Sequence, residues 1–166
     1  YLYCVMNKNK IGKHKIVKIF TTWRFVFFLI WKLPMGFLAR LRVSELTLEN
    51  TSITVPYNYW NKNPFNSMYF AVQAMAAELS TGVLTILHAD GQNISMLVTG
   101  LDSKYYKKAT TQIKFICLDG LKISKCIEKA IATGEAQICT MHTKGYDLEG
   151  SCVSEFYITW SLKKRI

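Results

Sequence analysis

Two rhythms of apolar residues alternate along this chain. Over residues 67–88 they occur on every side of a helical wheel, and the run contains a single acid, Glu78. That spacing predicts one long helix reaching about Leu87, roughly 33 Å for the full run at 1.5 Å per residue. A helix hydrophobic all round is one enclosed by protein. After Asp90-Gly91 the period drops to two: residues 94–101 lead through Tyr105 and Tyr106 into 112–117, where Ile113, Phe115 and Cys117 alternate with polar positions, as strands do. Ile123, Cys126, Ile127, Ala130 and Ile131 then return to helical spacing among lysines, predicting a short amphipathic helix that ends at Gly134. Two more strands follow at 135–143 and 151–162, joined by a loop over 144–150. In the second of these, Cys152, Ser154, Phe156, Ile158, Trp160 and Leu162 share one face.

Upstream, 40–48 and 51–57 read as a hairpin about Glu49-Asn50. Residues 57–66 form a loop with four Asn and one Pro but also four aromatics, which predicts that the loop packs over something. Asn66 or Ser67 is placed to cap the long helix. The sum is one nonpolar helix among five or six strands in an order that suits an antiparallel sheet, an α+β domain over residues 34–166.

Charge divides the chain differently. Residues 1–42 carry nine Lys or Arg and no acid, whereas 43–166 carry twelve basic and eleven acidic side chains, so the net charge of +10 belongs to the N-terminal quarter. The seven-residue apolar run from Phe25 to Trp31 is too short to span a membrane, and Lys32 and Pro34 follow it without a small-residue cleavage site. Residues 1–12 read as a disordered basic tail, with Met6 a candidate first residue. Residues 13–33 read as an amphipathic helix, centred on 14–32, that packs across the domain or lies on an anionic membrane surface. A basic chain with Trp and Tyr also suits nucleic acid, but the charge sits in one terminal stretch and no RNA-binding signature accompanies it, so no nucleic-acid partner is expected.

The five cysteines (Cys4, Cys117, Cys126, Cys139, Cys152) form no Cys-x-x-Cys pair and do not cluster with His14, His88 or His142. No metal site and no cofactor is implied. Cysteines in strand-like runs fit buried small hydrophobes in a reducing, cytoplasmic setting.

Chemistry points to Glu78. Turning 100° per residue gathers Ser67, Glu78, Thr81, Thr85 and His88 into an arc of roughly 80°, with Gln73 and Ser80 near another edge. Three readings fit: a face open to solvent, a carboxylate satisfied by a hydrogen bond or ion pair, or the border of a substrate cleft in which a desolvated Glu78 acts as base or nucleophile.

The run Asn61-Lys-Asn-Pro-Phe-Asn-Ser-Met-Tyr-Phe-Ala-Val-Gln-Ala-Met-Ala-Ala-Glu-Leu-Ser-Thr-Gly82 resembles the helix-start segment of hotdog-fold thioesterases, and more closely an uncharacterised branch of that superfamily. Lys32-Leu-Pro-Met, Leu41-Arg-Val, Tyr106-Lys-Lys-Ala and Thr159-Trp-Ser-Leu-Lys-Lys-Arg add to the likeness, which spans about residues 23–165. The resemblance implies a hotdog domain, a homodimer or dimer of dimers, and hydrolysis of acyl-coenzyme A or a related thioester at a dimer interface. Glu78 takes the position of the acid that activates water or attacks the thioester. A backbone N–H at the helix start polarises the carbonyl in those enzymes, with Asn66 and Ser67 as side-chain candidates here. Tyr69, Phe70, Thr81 and Thr85 would line the cleft, and Lys107, Lys108, Arg40 or Arg42 would meet coenzyme A phosphates. Where the enzymes carry a His-Gly-Gly type sequence, this chain has Tyr69-Phe-Ala-Val72, whose bulk would narrow the approach to the backbone. That departure leaves a non-catalytic acyl-binding or membrane-associated hotdog protein as the alternative.

Overall fold

The computed structural model describes residues 15–20 and 22–165. In chain order the elements are α1 (Lys15–Phe20), α2 (Arg24–Lys32), α3 (Pro34–Leu38), β1 (Arg42–Leu46), β2 (Thr51–Val55), α4 (Phe70–Ala89), β3 (Ile94–Tyr105), β4 (Ile113–Cys117), α5 (Gly120–Thr133), β5 (Gln137–Tyr146) and β6 (Cys152–Lys164). The strands form one antiparallel sheet in the order β1-β2-β4-β5-β6-β3. Since β2 and β3 lie near opposite edges, the chain between them must cross the sheet, and α4 makes that crossing, packing on β2, β4, β5 and β6.

The apolar alternation of the strands supplies the other half of the core. Ile53 and Val55 of β2, Ile113, Phe115 and Cys117 of β4, Met141 of β5, and Phe156, Ile158 and Leu162 of β6 are wholly enclosed, as are Ala76, Ala77, Val83 and Leu84 of α4. Burying each of the larger side chains contributes about 1.5–3 kcal/mol.

Several element boundaries differ from the sequence reading. The helix expected over 14–32 is two helices, with a turn at Thr22 and Trp23 whose hydroxyl and backbone bond across it (Thr22 Oγ1 to Lys18 O, Phe25 N to Thr22 O). The tail expected over 1–12 lies outside the described residues. The long helix begins at Phe70 rather than Ser67, because the backbone N–H groups before it are committed elsewhere: Met68 N donates to Ala109 O and Tyr69 N to Asn61 O, both at 2.7 Å. Neither Asn66 nor Ser67 caps it. Asn63 instead organises the approach, its Oδ1 accepting from Phe65 N and Ser67 N. Of the four aromatics of the loop only Tyr57 packs against the core, while Tyr59, Trp60 and Phe65 are exposed. Asparagines hold it, with Asn58 and Asn61 forming a reciprocal capping box.

The loop expected over 144–150 shrinks to a turn at Asp147, whose Oδ1 accepts from Glu149 N and Ser151 N. Lys144, Gly145 and Tyr146 belong to β5. Gly145 is there for space: a Cβ would come within 2.7 Å of the Phe115 ring.

The start of α5 is the tightest backbone approach. Gly120 N donates to Glu49 O at 3.1 Å, and a Cβ at Gly120 would stand 2.0 Å from Leu48 O and 2.7 Å from Glu49 Cα. Backbone on one side and a helix on the other cannot both yield, so Gly120→Ala is expected to lower stability by about 1–3 kcal/mol, measured by denaturant unfolding.

Candidate active site

Polar side chains on α4 are not a solvent face. Thr81, Thr85 and Ser80 are at zero exposure, and Gln73 is nearly so. Each is matched by a partner. Trp160 Nε1 donates to Thr81 Oγ1 (3.0 Å), Ser154 Oγ donates to Gln73 Oε1 (2.8 Å), the Ser80 and Thr143 hydroxyls meet at 2.9 Å, and Thr85 Oγ1 donates to Thr81 O (2.8 Å). His88, at the end of the helix, bonds Leu48 O through Nε2 at 2.8 Å. The stripe thus faces the sheet, and Thr81 and Thr85 underlie the helix without lining a cleft open on this protomer.

Glu78 is the member left unmatched. Among the described residues no hydrogen bond or ion pair reaches its carboxylate, and burial alone pushes its pKa up from the ordinary glutamate value. Its Oε1 lies over Gly82: a Cβ built there would be 3.3 Å from Oε1 and 3.4 Å from Trp160 Cζ2. The glycine one turn on therefore leaves both the carboxylate and the indole without a side chain against them at that position. A desolvated, uncompensated carboxylate is a stronger base than one in water.

The helix start supplies a complementary group that side-chain reasoning could not find. Val72 N and Gln73 N both bond Tyr69 O, while the N–H groups of Phe70 and Ala71 make no hydrogen bond among the described residues, and no side chain caps the helix. Two free donors at the positive end of the longest helix suit a developing oxyanion. Among the described non-glycine residues only Arg40, Asn66 and Asn93 have positive φ, so Tyr69 to Val72 take a backbone shape open to any residue. What glycines would change at this place is access, because the Tyr69 and Phe70 rings, 4.8 Å apart and edge-on, project beside these donors.

A groove of about 290 Å³ adjoins the helix start, with Ser67, Phe70, Gln73, Tyr105, Lys107 and Lys108 among its lining residues. The structure thus brings Ser67, Phe70, Lys107 and Lys108 together, with Tyr69 exposed next to Phe70, while Glu78 is eight residues further along α4, about 12 Å along the axis. Ser67 is buried and tied to Asn63, and Asn66 is exposed at φ 55°. Lys107 is not a free cation: its Nζ is 2.6 Å from Asp147 Oδ2, a hydrogen bond that raises the lysine pKa and lowers that of the aspartate. Lys108 donates to Phe65 O at 3.1 Å and remains exposed. Arg40 and Arg42 lie at the β1 edge, the far side of the sheet from β3, and are separated from this groove.

A long helix wrapped by a sheet of this order is the hotdog fold, and solved structures show the same arrangement. A protein of unknown function from Pseudomonas aeruginosa, described as a probable thioesterase, matches with a TM-score of 0.74 at 20% identity over 87% of this chain and 97% of its own. A protein of unknown function from Chlorobaculum tepidum matches with 0.73 at 16% identity over 86% and 93%. A thioesterase from Haemophilus influenzae matches with 0.60 at 10% identity over 78% and 82%. The protein therefore has a thioesterase-like hotdog fold. The chain belongs to the DUF4442 family, described as a domain of unknown function, which matches residues 21–162. No curated protein matches it.

The unpaired carboxylate has a stability signature. Burial holds the folded-state pKa of Glu78 above its unfolded value. Folded protein therefore binds this proton more tightly, and stability falls as pH rises from the ordinary carboxylate value toward the raised one. Glu78→Gln cannot ionise and is expected to be the more thermostable protein at neutral pH, the gap closing below pH ~4. Thermal unfolding of both proteins across pH tests this. An equal gap at acid and neutral pH would mean that charge is not its source.

Proposed function

We propose that the protein hydrolyses acyl-coenzyme A or a related acyl thioester, with Glu78 as general base or nucleophile and the Phe70 and Ala71 N–H groups holding the carbonyl oxygen. The observation that carries this reading is a desolvated carboxylate without a partner on the same helix as two unused backbone donors. In the base form of the reaction, Glu78 takes a proton from water as the water oxygen bonds the carbonyl carbon. Negative charge moves onto the carbonyl oxygen, toward the helix start. The tetrahedral species then expels the thiolate, which takes the proton from Glu78 and leaves as coenzyme A thiol alongside the carboxylic acid.

Base, water, carbonyl and donor must stand nearly in contact, roughly 3–3.5 Å between reacting atoms. An axial gap of about 12 Å between Glu78 and the donors on one helix fits this poorly. The arrangement that fits is Glu78 from one protomer with the helix start of a second copy, so the active species is a homodimer. The open edge of β3 supports it. This strand runs from Ile94 to Tyr105, pairs only with β6 among the described residues, and exposes Leu97 and Leu101. An edge of that length is a template for pairing with another chain. Lys108, the less neutralised lysine of the groove, is assigned to the coenzyme A phosphates. Cys117 and Cys139 are free thiols whose pKa burial pushes up to about 12, unreactive fillers that accord with a reducing, cytoplasmic setting.

Bulk at Tyr69 and Phe70 supports a second reading, acyl-thioester binding without turnover. One experiment separates the two: purified protein with a panel of acyl-coenzyme A esters and a thiol reagent, alongside calorimetric binding. Turnover that falls about a hundredfold or more in Glu78→Gln is expected for the hydrolase. Undiminished turnover in that variant removes Glu78 from the chemistry, and binding with no thiol release establishes the second reading.

A further inference from the structure

Helix α2 is apolar on two faces, and among the described residues only one of them is buried. Phe25 and Leu29 are buried against the domain. Trp23, Phe27, Ile30 and Trp31 recur at helical spacing on the other side and are exposed, Trp31 to 81% and Trp23 to 69%. Met35, Phe37 and Leu38 of α3 extend the surface. Exposed Lys18, Arg24, Lys32, Arg40 and Arg42 accompany it, and residues 22–43 contain no acid. Adjoining it is a cavity of about 340 Å³, lined mainly by apolar residues including Phe20, Phe25, Leu29 and Leu41, with Arg42 among them.

We infer that this face docks the protein on an anionic phospholipid bilayer. Contiguous aromatic and aliphatic surface is costly to leave in water and marks a binding site. Tryptophans set among cations suit the headgroup boundary, where the ring meets acyl chains and the charge meets lipid phosphate. Charge complementarity selects the bilayer over a second copy of the chain. A two-fold interface here would press the same cations against one another with no acid between them, whereas an anionic leaflet neutralises each. The apolar cavity offers room for part of a lipid chain. The helix lies in the interface plane and does not span it. The one described helix long and apolar enough to cross a membrane is α4, which is the enclosed core helix.

The test uses the full chain with vesicles of phosphatidylcholine alone and of phosphatidylcholine with phosphatidylglycerol, read by flotation and by tryptophan emission. The protein should float with the anionic vesicles, shift its emission to the blue, and lose binding as salt rises. Phe27→Ser with Trp31→Ser should abolish flotation. Arg24→Gln and Lys32→Gln should each weaken it about fivefold. These side chains are exposed, so unchanged thermal unfolding of each variant confirms that the fold persists. Failure of the wild-type chain to float overturns the proposal, as does equal binding to neutral vesicles or full binding by the Phe27/Trp31 variant. A face that instead joins two copies would appear as an oligomer dissolved by the same double substitution without vesicle binding, which also overturns it. No readout depends on thioester turnover, so this proposal and the hydrolase reading fail separately.

Discussion

The structure depends on a helix whose sheet-facing side is wholly buried and whose opposite stripe, Ala71, Met75, Glu78, Ile86 and Ala89, is only half-buried. Residues 70–89 place apolar groups all round, and such a helix is stable only when neighbours cover it on several sides. A sheet ordered β1-β2-β4-β5-β6-β3 achieves this because its two halves are built from chain before and after the helix, so that the helix is threaded across strands instead of laid beside them. Enclosure then makes every polar atom on the helix expensive unless it is bonded. Three cross-links to the sheet meet that demand: Trp160 to Thr81, Ser154 to Gln73, and Thr143 with Ser80. They are directional where the apolar contacts are not, and they fix the rotation of α4 about its own axis.

Rotation is what places Glu78. With Thr81 pinned to the Trp160 indole, the residue three positions earlier is half-buried, its Oε1 near Gly82. The carboxylate keeps some access but gains no compensating donor, so the protein carries an ionisation penalty at the one place on the helix where it could be used. At the helix start the same logic applies to backbone. Most donors there are committed to Ala109, Asn61 and Tyr69, while two are left over on a dipole that favours negative charge. Both unsatisfied features lie on an element whose buried polar side chains are all hydrogen-bonded.

How much of this the sequence revealed follows the range of each cause. Strands β4 and β6 were legible because alternation is local and their inward residues are those that alternate. The existence of α4 was legible for the same reason, whereas the enclosure expected on every side is met only where the helix faces the sheet, with Ala71, Met75, Glu78 and Ile86 half-buried. Its first residue was not, since that is decided by Ala109 and Asn61, partners eight to forty residues away. Gly145 looked like a loop residue because the ring that demands it, Phe115, is thirty positions earlier. The polar stripe was found but its direction was not. Wheel geometry orders side chains around a helix and says nothing of which side meets a sheet. Glu78 was visible as a lone acid, whereas the Phe70 and Ala71 donors are backbone atoms that no residue type announces.

The placement of charge extends the argument to the whole molecule. The nine cations of the first 42 residues stand against a body that is nearly neutral, and those among the described residues with exposed side chains are Lys18, Arg24, Lys32, Arg40 and Arg42. The described part of that end joins the sheet through β1, while the open edge is β3, five inter-strand spacings away at ~4.8 Å each, or about 24 Å. That distance exceeds the screening length of about 8 Å at physiological salt. The pairing proposed at β3 would therefore avoid the repulsion that self-association at the basic end would meet. Two copies so paired would leave the basic aromatic face of each free for the proposed anionic surface. The β3 edge and the α2 face, both exposed and apolar, thus lie at opposite ends of the strand order and differ in charge, and that difference is why the two proposals assign them different partners.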